Sequence, residues 1–267
     1  MRPVDQIVLI HTVMGIQMID LHNHVLFGMD DGAQTLEDSI QMIKSAIDQG
    51  IKTLVLTPHF NPITDDYDLF ITKRNANFLE LQDAVNFYNL DINLLKGAEV
   101  YFSSALLTQD LDALCIEDTD YLLIELSTRS MPASLNSQIL TLLGRGYKVI
   151  LAHIERYQYL MDDSQELVSL VENGVLMQVN CKTFLRGKDK HLIKALIKHN
   201  LVHLIASDAH NMDSRIMNMG ETFEFIDKHF SKLVSKRFMS NAQAVLSNRY
   251  PEILMPTKLK TRFGRYV

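Results

Sequence analysis

From Met18 onward, short runs rich in β-branched and apolar residues alternate with longer segments whose apolar positions recur at helical spacing. The extended pattern predicts seven strands, over 18–21, 53–57, 92–96, 121–126, 148–152, 175–180 and 202–206. Between the first two, Leu36, Ile40, Ile43 and Ile47 fall on one helical stripe, with Thr35 as N-cap, Asp38 as its capping-box partner and Gly50 as the stop. A second helix is predicted through Phe70, Phe78, Leu81, Val85 and Tyr88, and others around 134–143, 165–171, 190–198, 222–230 and 236–246. Strict alternation of strand and helix implies a parallel sheet with helices outside, and this length suits a barrel of the TIM type, with an open doubly wound sheet as the competing geometry. No linker, repeat or low-complexity tract divides the chain. The reading is therefore one domain over 18–267, preceded by an extension over 1–17 in which translation starting at Met18 is as reasonable as at Met1; the stretch lacks the basic start and cleavage site of a signal peptide. The basic tail over 258–267 is expected to be a solvated end.

Composition narrows the classes. The 267 residues are 47% hydrophobic and 22% charged, which fits a large buried core and excludes a disordered chain. No apolar run approaches the roughly 18 residues a spanning helix needs, so membrane insertion is not expected. With 26 basic and 32 acidic side chains the formal charge is -6, which argues against a surface for nucleic acid. Cys115 and Cys181 are too few for a disulfide framework and too distant for a CxxC clip, so a reducing cytoplasm is the expected location.

The chemistry collects at the strand ends, where a parallel barrel carries its active site. His22, His24, His59, Glu99, Glu125, His153, Asp208 and His210 all lie there, five of the ten histidines among them, and only the sixth strand ends without such a residue, in Asn180 and Cys181. In His22-Asn23-His24, the two-residue period of an extended segment puts both imidazoles on one side. A carboxylate after apolar strands, as at Glu99 and Glu125, is buried only when paired or metal-bound; for Glu125 the alternative is a salt bridge to Arg129 or Arg156. Asp30 and Asp31, before Gly32, serve either as turn and helix caps or as metal ligands. His11, His191, His199, His203 and His229 are read as structural or solvated. Nitrogen and oxygen donors in this number exceed one tetrahedral zinc and imply several first-row ions bridged by carboxylates, with Mn, Fe or Zn suitable. Such clusters activate water and clamp phosphate esters, and Arg156 and Arg215 beside them would grip non-bridging phosphate oxygens. Cys181 and Arg186 are separated by four residues, one fewer than a cysteine-phosphatase loop requires, so a thiol nucleophile is not expected.

The stretches Ile19-Asp20-Leu21-His22-Asn23-His24, Asp30-Asp31-Gly32, Thr57-Pro58-His59, Gly97-Ala98-Glu99-Val100-Tyr101, Leu123-Ile124-Glu125, Ala152-His153-Ile154-Glu155-Arg156-Tyr157 and Ala206-Ser207-Asp208-Ala209-His210-Asn211 together resemble the PHP (polymerase and histidinol phosphatase) superfamily. Within it they resemble specifically the bacterial manganese-dependent tyrosine-protein phosphatases of capsule and exopolysaccharide operons. That resemblance implies an α/β fold, a distorted (β/α)7 TIM-like barrel. It implies three divalent metal ions, manganese first, with iron or zinc as alternatives. His22, His24, Glu99 and Asp208 would hold one, Asp31, His59 and His210 a second, and Glu99, Glu125 and His153 the third, with Asn23 turned away. Arg156 and Arg215 match the phosphate-binding arginines. The implied reaction is direct attack of metal-activated hydroxide on phosphotyrosine, without a phospho-enzyme, and the implied partner is the phosphorylated Tyr-rich tail of a bacterial tyrosine kinase. A long tail needs an open cleft, so 61–68 and 128–133 are expected to be rim loops. The competing readings are a phosphoesterase for a small ester such as histidinol phosphate, and a non-catalytic metal-stabilised module that binds phosphotyrosine.

Overall fold

The computed structural model describes residues 17–262 together with 265 and 266; the extension expected over 1–17 therefore lies, but for Gln17, outside the described residues. Nine parallel strands build the barrel: β1 (Met18–Asn23), β2 (Ile51–Leu56), β3 (His59–Phe60), β4 (Asn93–Lys96), β5 (Glu99–Tyr101), β6 (Tyr121–Glu125), β7 (Lys148–Leu151), β8 (Leu176–Asn180) and β9 (Leu204–Ala206). One ladder runs β1-β2-β4, the other β3-β5-β6-β7-β8-β9. Among the described residues one isolated parallel bridge, between Asn23 and Ala209, joins the far ends.

These nine strands fill the seven predicted positions, because the second and third are each broken in two. Pro58 has no amide hydrogen for a ladder and interrupts β2 and β3. Opposite it, Gly97 separates β4 from β5 where the backbones close in: a Cβ there would sit 3.1 Å from both Thr57 Cγ2 and Val55 Cγ1. Beyond the break His59 and Glu99 stand in register.

The helix signals hold with small shifts. In α1 (Leu36–Asp48) the Thr35 hydroxyl accepts from Asp38 N and the Asp38 carboxylate accepts from Thr35 N at 2.9 Å, the reciprocal cap read from the sequence. Helix α2 (Tyr67–Phe87) buries Phe70, Phe78, Leu81 and Val85, while Tyr88 lies beyond its end and is exposed. Then come α3 (Leu135–Gly144), the short α4 (Gln158–Asp162), α5 (Ser164–Glu172), the short α6 (Cys181–Leu185), α7 (Lys190–Lys198), α8 (Met219–His229) and α9 (Lys232–Leu246).

Two apolar layers result. The larger packs helices on the outside of the sheet. The smaller includes Ile19, Leu21, Val55, Tyr121, Leu123, Ile150, Leu176 and Leu204 with Ala242 and Val245 of α9. Along β6 and β8 the same alternate positions pass from apolar to polar, Leu123 to Glu125 and Leu176 to Gln178 and Asn180. The polar cluster thus sits on an apolar floor.

The basic tail departs from expectation. Thr261–Arg262 and Arg265–Tyr266 form a short antiparallel ladder, β10 and β11. Leu259 N donates to Ser164 Oγ at 3.0 Å and Tyr266 packs on the core, so local contacts hold an end that composition alone marks as solvated.

Candidate metal centre

After β1 the chain turns back on itself: Ala33 N donates to His24 O at 3.0 Å, and at Gly32 a Cβ would lie 2.2 Å from that same oxygen. Only glycine fits. The turn delivers Asp30 and Asp31 to the cluster in different roles. Asp30 Oδ2 accepts from His24 Nδ1 at 2.7 Å and from His59 N at 2.8 Å, while Oδ1 accepts from Gly32 N. Burial alone would raise this carboxyl, but its bonds to His24 and the amides bring it down to about 2. Asp31 is exposed and faces His210 Nε2 at 3.3 Å and His59 Nε2 at 3.6 Å. At the ends of β7 and β9, His153 and Asp208 adopt left-handed backbone angles, φ 32° and 52°, a strain that functional sites commonly retain.

The imidazoles are held from behind. His22 Nδ1 meets Gln178 Oε1 at 3.1 Å, His24 Nδ1 meets Asp30, and His210 Nδ1 meets the Asp208 carbonyl at 3.0 Å. Gln178 orientation follows from its neighbours, since Oε1 also accepts from His153 N and Nε2 donates to Asn180 Oδ1. All three partners are acceptors, so each Nδ1 carries the hydrogen and each Nε2 presents a lone pair inward. His22 Nε2 and His24 Nε2 face each other at 3.4 Å and lie 3.1 and 3.2 Å from Glu99 Oε2. Lone pairs and carboxylate oxygens converging in this way repel unless a cation stands between them. His59 Nδ1, Glu99 Oε2 and His210 Nε2 are buried without a hydrogen-bond partner among the described residues. Burial would lower the His22 and His24 pKa values, yet Glu99 and Asp208 around His22, and Asp208 and Asp30 around His24, raise both: protons are drawn to where a metal would fit. The donor set suits divalent ions.

Three groups of side chains converge closely enough to share an ion: His24, Asp31, His59 and His210; His22, His24 and Glu99; and His59, Glu99 and Glu125. Compared with the expected partition, His24 falls in two groups, and His59 rather than His153 joins Glu99 and Glu125. His153 Nε2 remains close, 2.7 Å from Glu99 Oε1 and 3.9 Å from Glu125 Oε2. Glu125 also lies 3.4 Å from His59 Nδ1, so it faces histidines and not Arg129 or Arg156. Asp208 Oδ1 is 3.6 and 3.5 Å from the facing nitrogens of His22 and His24. Asn23 turns away, to Asp20 and the Val55 carbonyl.

Both arginines reach the cluster through Asp208. Arg156 pairs with its Oδ2, and Arg215 with Oδ1 at 2.9 Å and with Asp31 at 3.3 Å. Asn180 Nδ2 donates to Asp208 Oδ2 at 2.6 Å. Asn180, Gln178, Asp30 and Tyr157, whose hydroxyl meets His153 Nδ1 at 3.1 Å, are the supporting groups. Gln178 and Tyr157 carry no ligand chemistry, so sequence marks them only by polar placement near a strand end.

The other histidines stay apart from the cluster. His203 is buried under Met177, His199 meets Thr257 Oγ1, His229 meets the Phe225 carbonyl, His191 is exposed, and His11 lies outside the described residues. Cys181 is fully buried, and burial pushes its thiol well above the usual range, against a nucleophilic role. Of the segments expected as rim loops over 61–68 and 128–133, residues 63–66 and 128–131 are exposed, while Tyr67 and Asp68 open α2 instead. Among the described residues no helix is long and apolar enough to cross a membrane.

A parallel α/β barrel with histidines and carboxylates gathered at its strand ends defines a metallohydrolase-like protein. Similarity makes the assignment particular. The chain belongs to the CpsB/CapC family of capsular polysaccharide synthesis, whose description matches residues 18–247. It is 31% identical over 244 residues to the tyrosine-protein phosphatase CpsB of Streptococcus agalactiae, covering 87% of this chain and 100% of the relative. It is 31% identical over 255 residues to the tyrosine-protein phosphatase YwqE of Bacillus subtilis, covering 92% and 99%. A structure from work on YwqE of Bacillus subtilis and CpsB of Streptococcus pneumoniae, described as unique metal-dependent tyrosine phosphatases, superposes with a TM-score of 0.83 at 28% identity, over 91% of this chain and 100% of that one. An amidohydrolase from Mycoplasma synoviae, at 15% identity and TM-score 0.55, over 91% of this chain and 92% of that one, shares the fold.

Proposed function

We propose that the protein is a metal-dependent protein-tyrosine phosphatase, working as one unit over 18–267. The observation that carries this reading is the set of inward Nε2 lone pairs and buried carboxylate oxygens meeting beside two arginines, in a chain related over most of its length to named tyrosine phosphatases. His22, His24, Asp31, His59, Glu99, Glu125, His153, Asp208 and His210 would hold the ions, three divalent metals with manganese first. Bound there, such ions supply the Lewis acidity that activates water and neutralises charge on phosphate oxygens.

The chain's own part is positioning. Asp30 and Gln178 fix the His24 and His22 tautomers. Arg156 and Arg215 hold Asp208 until an ester arrives, and their planar donors suit two non-bridging oxygens of a phosphoryl group. The phenolate of tyrosine, with a parent pKa near 10, leaves with little proton assistance. The physiological substrate in this reading is a phosphorylated bacterial tyrosine kinase tail in the cytoplasm, tied to capsule or exopolysaccharide synthesis.

The test is phosphate release from a phosphotyrosine peptide and from histidinol phosphate under the same manganese concentration. Preference for the peptide by an order of magnitude or more in kcat/KM supports the reading. Preference for histidinol phosphate assigns the site to small esters, and binding of the peptide without release assigns it to a recognition module.

A further inference from the structure

Among the described residues, the end of β8 and the start of α6 supply no member of the three converging ligand groups. Their hydrogen bonds nevertheless run to both segments that carry an arginine. The first is the turn over Ile154–Arg156, where Glu155 Oε1 accepts from Asn180 N at 3.2 Å and from the Thr183 hydroxyl at 2.9 Å. The second is the loop over 211–215, where Lys182 Nζ donates to Ser214 O at 2.8 Å. That loop is stiff. Asn211 Oδ1 accepts from the amides of Asp213, Ser214 and Arg215 at 3.0, 2.8 and 3.0 Å, and Arg215 O accepts from His210 N at 2.8 Å. A tie at Ser214 therefore fixes Arg215 as well.

These ties matter because the contacts between the arginines and Asp208 cannot outlast substrate binding. Arg156 and Arg215 both engage Asp208 here, and donors taken up by a phosphoryl group are no longer available to it. Something else must then hold the two segments, since a misplacement of about 1 Å can cost on the order of 100-fold in rate. The β8–α6 junction is suited to this. Cys181 and Phe184 bury it in the outer apolar layer, and Asn180 Nδ2 joins it to Asp208 as well. Its anchorage is the packed core, which does not depend on what occupies the cluster.

We propose that the β8–α6 junction is a bracket that positions both arginines for phosphoryl transfer, Thr183 acting through Glu155 on Arg156 and Lys182 acting through Ser214 on Arg215. The proposal rests on the phosphatase reading and adds positioning residues from the strand end that bears no ligand. Thr183 and Lys182 act through other groups, touching neither the phosphoryl group nor an ion. The buried Cys181 is the bracket's anchor, which gives this stretch a role without a thiol nucleophile.

The experiment measures kcat, KM and manganese content with a phosphotyrosine peptide for the manganese-loaded wild type, Thr183→Val, Thr183→Ser and Lys182→Met. Each substitution is also placed in the Arg156→Ala and Arg215→Ala backgrounds. Thr183→Val and Lys182→Met should each lower kcat roughly three- to tenfold, the scale of one lost hydrogen bond, with manganese content unchanged. Thr183→Ser keeps the hydroxyl and should restore the wild-type rate. Beside Arg156→Ala, Thr183→Val should cost nothing further, yet it should keep its full cost beside Arg215→Ala; Lys182→Met should show the reverse. General loosening of the fold lowers activity alike in every background and does not imitate this crossed pattern. Costs that add in every background overturn the bracket, as they would if Lys182 met the substrate directly. So do unchanged rates, manganese loss, or a Thr183→Ser as slow as Thr183→Val. A wild type that releases no phosphate from the peptide overturns the phosphatase reading itself, and the bracket's role with it.

Discussion

At the scale of single residues, the second nitrogen of each histidine decides what the first can do. Asp30 behind His24 and Tyr157 behind His153 are expected to act on metal binding without touching an ion: Asp30→Asn or Tyr157→Phe should weaken manganese affinity by roughly 10- to 100-fold, read by competition with a chelator. Unchanged affinity would reduce these contacts to packing. His203 shows the opposite use of the same side chain. Its Nδ1 accepts from Met177 N at 3.0 Å, so the ring is neutral, and burial first, then Arg237, push its pKa down to about 4. The unfolded residue titrates near 6.5, so as pH falls through this window the unfolded chain takes up a proton that the folded chain refuses. Stability from this group is complete above about pH 6.5 and is lost by about pH 4, on the order of 3 kcal/mol. Urea unfolding at pH 7 and pH 5 should show a smaller loss in His203→Asn than in wild type; equal losses would contradict this. Sequence could place His203 away from Asp208 but could not reveal its burial beside Arg237.

At the scale of elements, the features legible in the sequence were those with local causes. The capping box at Thr35 and Asp38 and the apolar stripe of α1 are short-range chemistry, and they appear where the pattern puts them. The ligands at strand ends were legible because side chains at successive strand ends fall in one place in a parallel barrel. The splitting of β2 from β3 and β4 from β5 was not, since it depends on Pro58 and Gly97 meeting across two strands distant in sequence. Gly32 is the corresponding case in the loop after β1. A Gly32→Ala methyl would meet His24 O at 2.2 Å and His24 Cβ at 2.5 Å. Backbone must move, at a cost of about 1–3 kcal/mol, and Asp30 and Asp31 move with it. The expected outcome is loss of about one metal equivalent per chain by elemental analysis with the barrel still folded; full metal content would show that the turn tolerates a side chain.

At the scale of the whole molecule, the barrel closes through one bridge and the Asp20 carboxylate, which accepts from Ser207 N at 2.9 Å and Ser207 Oγ at 2.6 Å, directly beside Asp208. Ligands from both sheets therefore meet across this seam, and ions bound there would join its two sides. Chelation should lower the melting temperature as well as activity, because ligand binding to the folded state adds stability by mass action; an unchanged melting temperature would place the ions outside the seam. Replacing Arg156 or Arg215 by Ala should lower kcat roughly 100-fold with metal content retained, the scale of losing one donor to a developing charge. Concurrent loss of metal would make the arginines supports for Asp208 instead. The measurement that bears most directly on the central claim is phosphate release from a phosphotyrosine peptide by manganese-loaded protein, run beside chelated protein and His22→Ala. Rapid release that chelation abolishes, manganese restores and the variant lacks is the expected result; release that survives both chelation and the substitution would contradict a metal-dependent phosphatase.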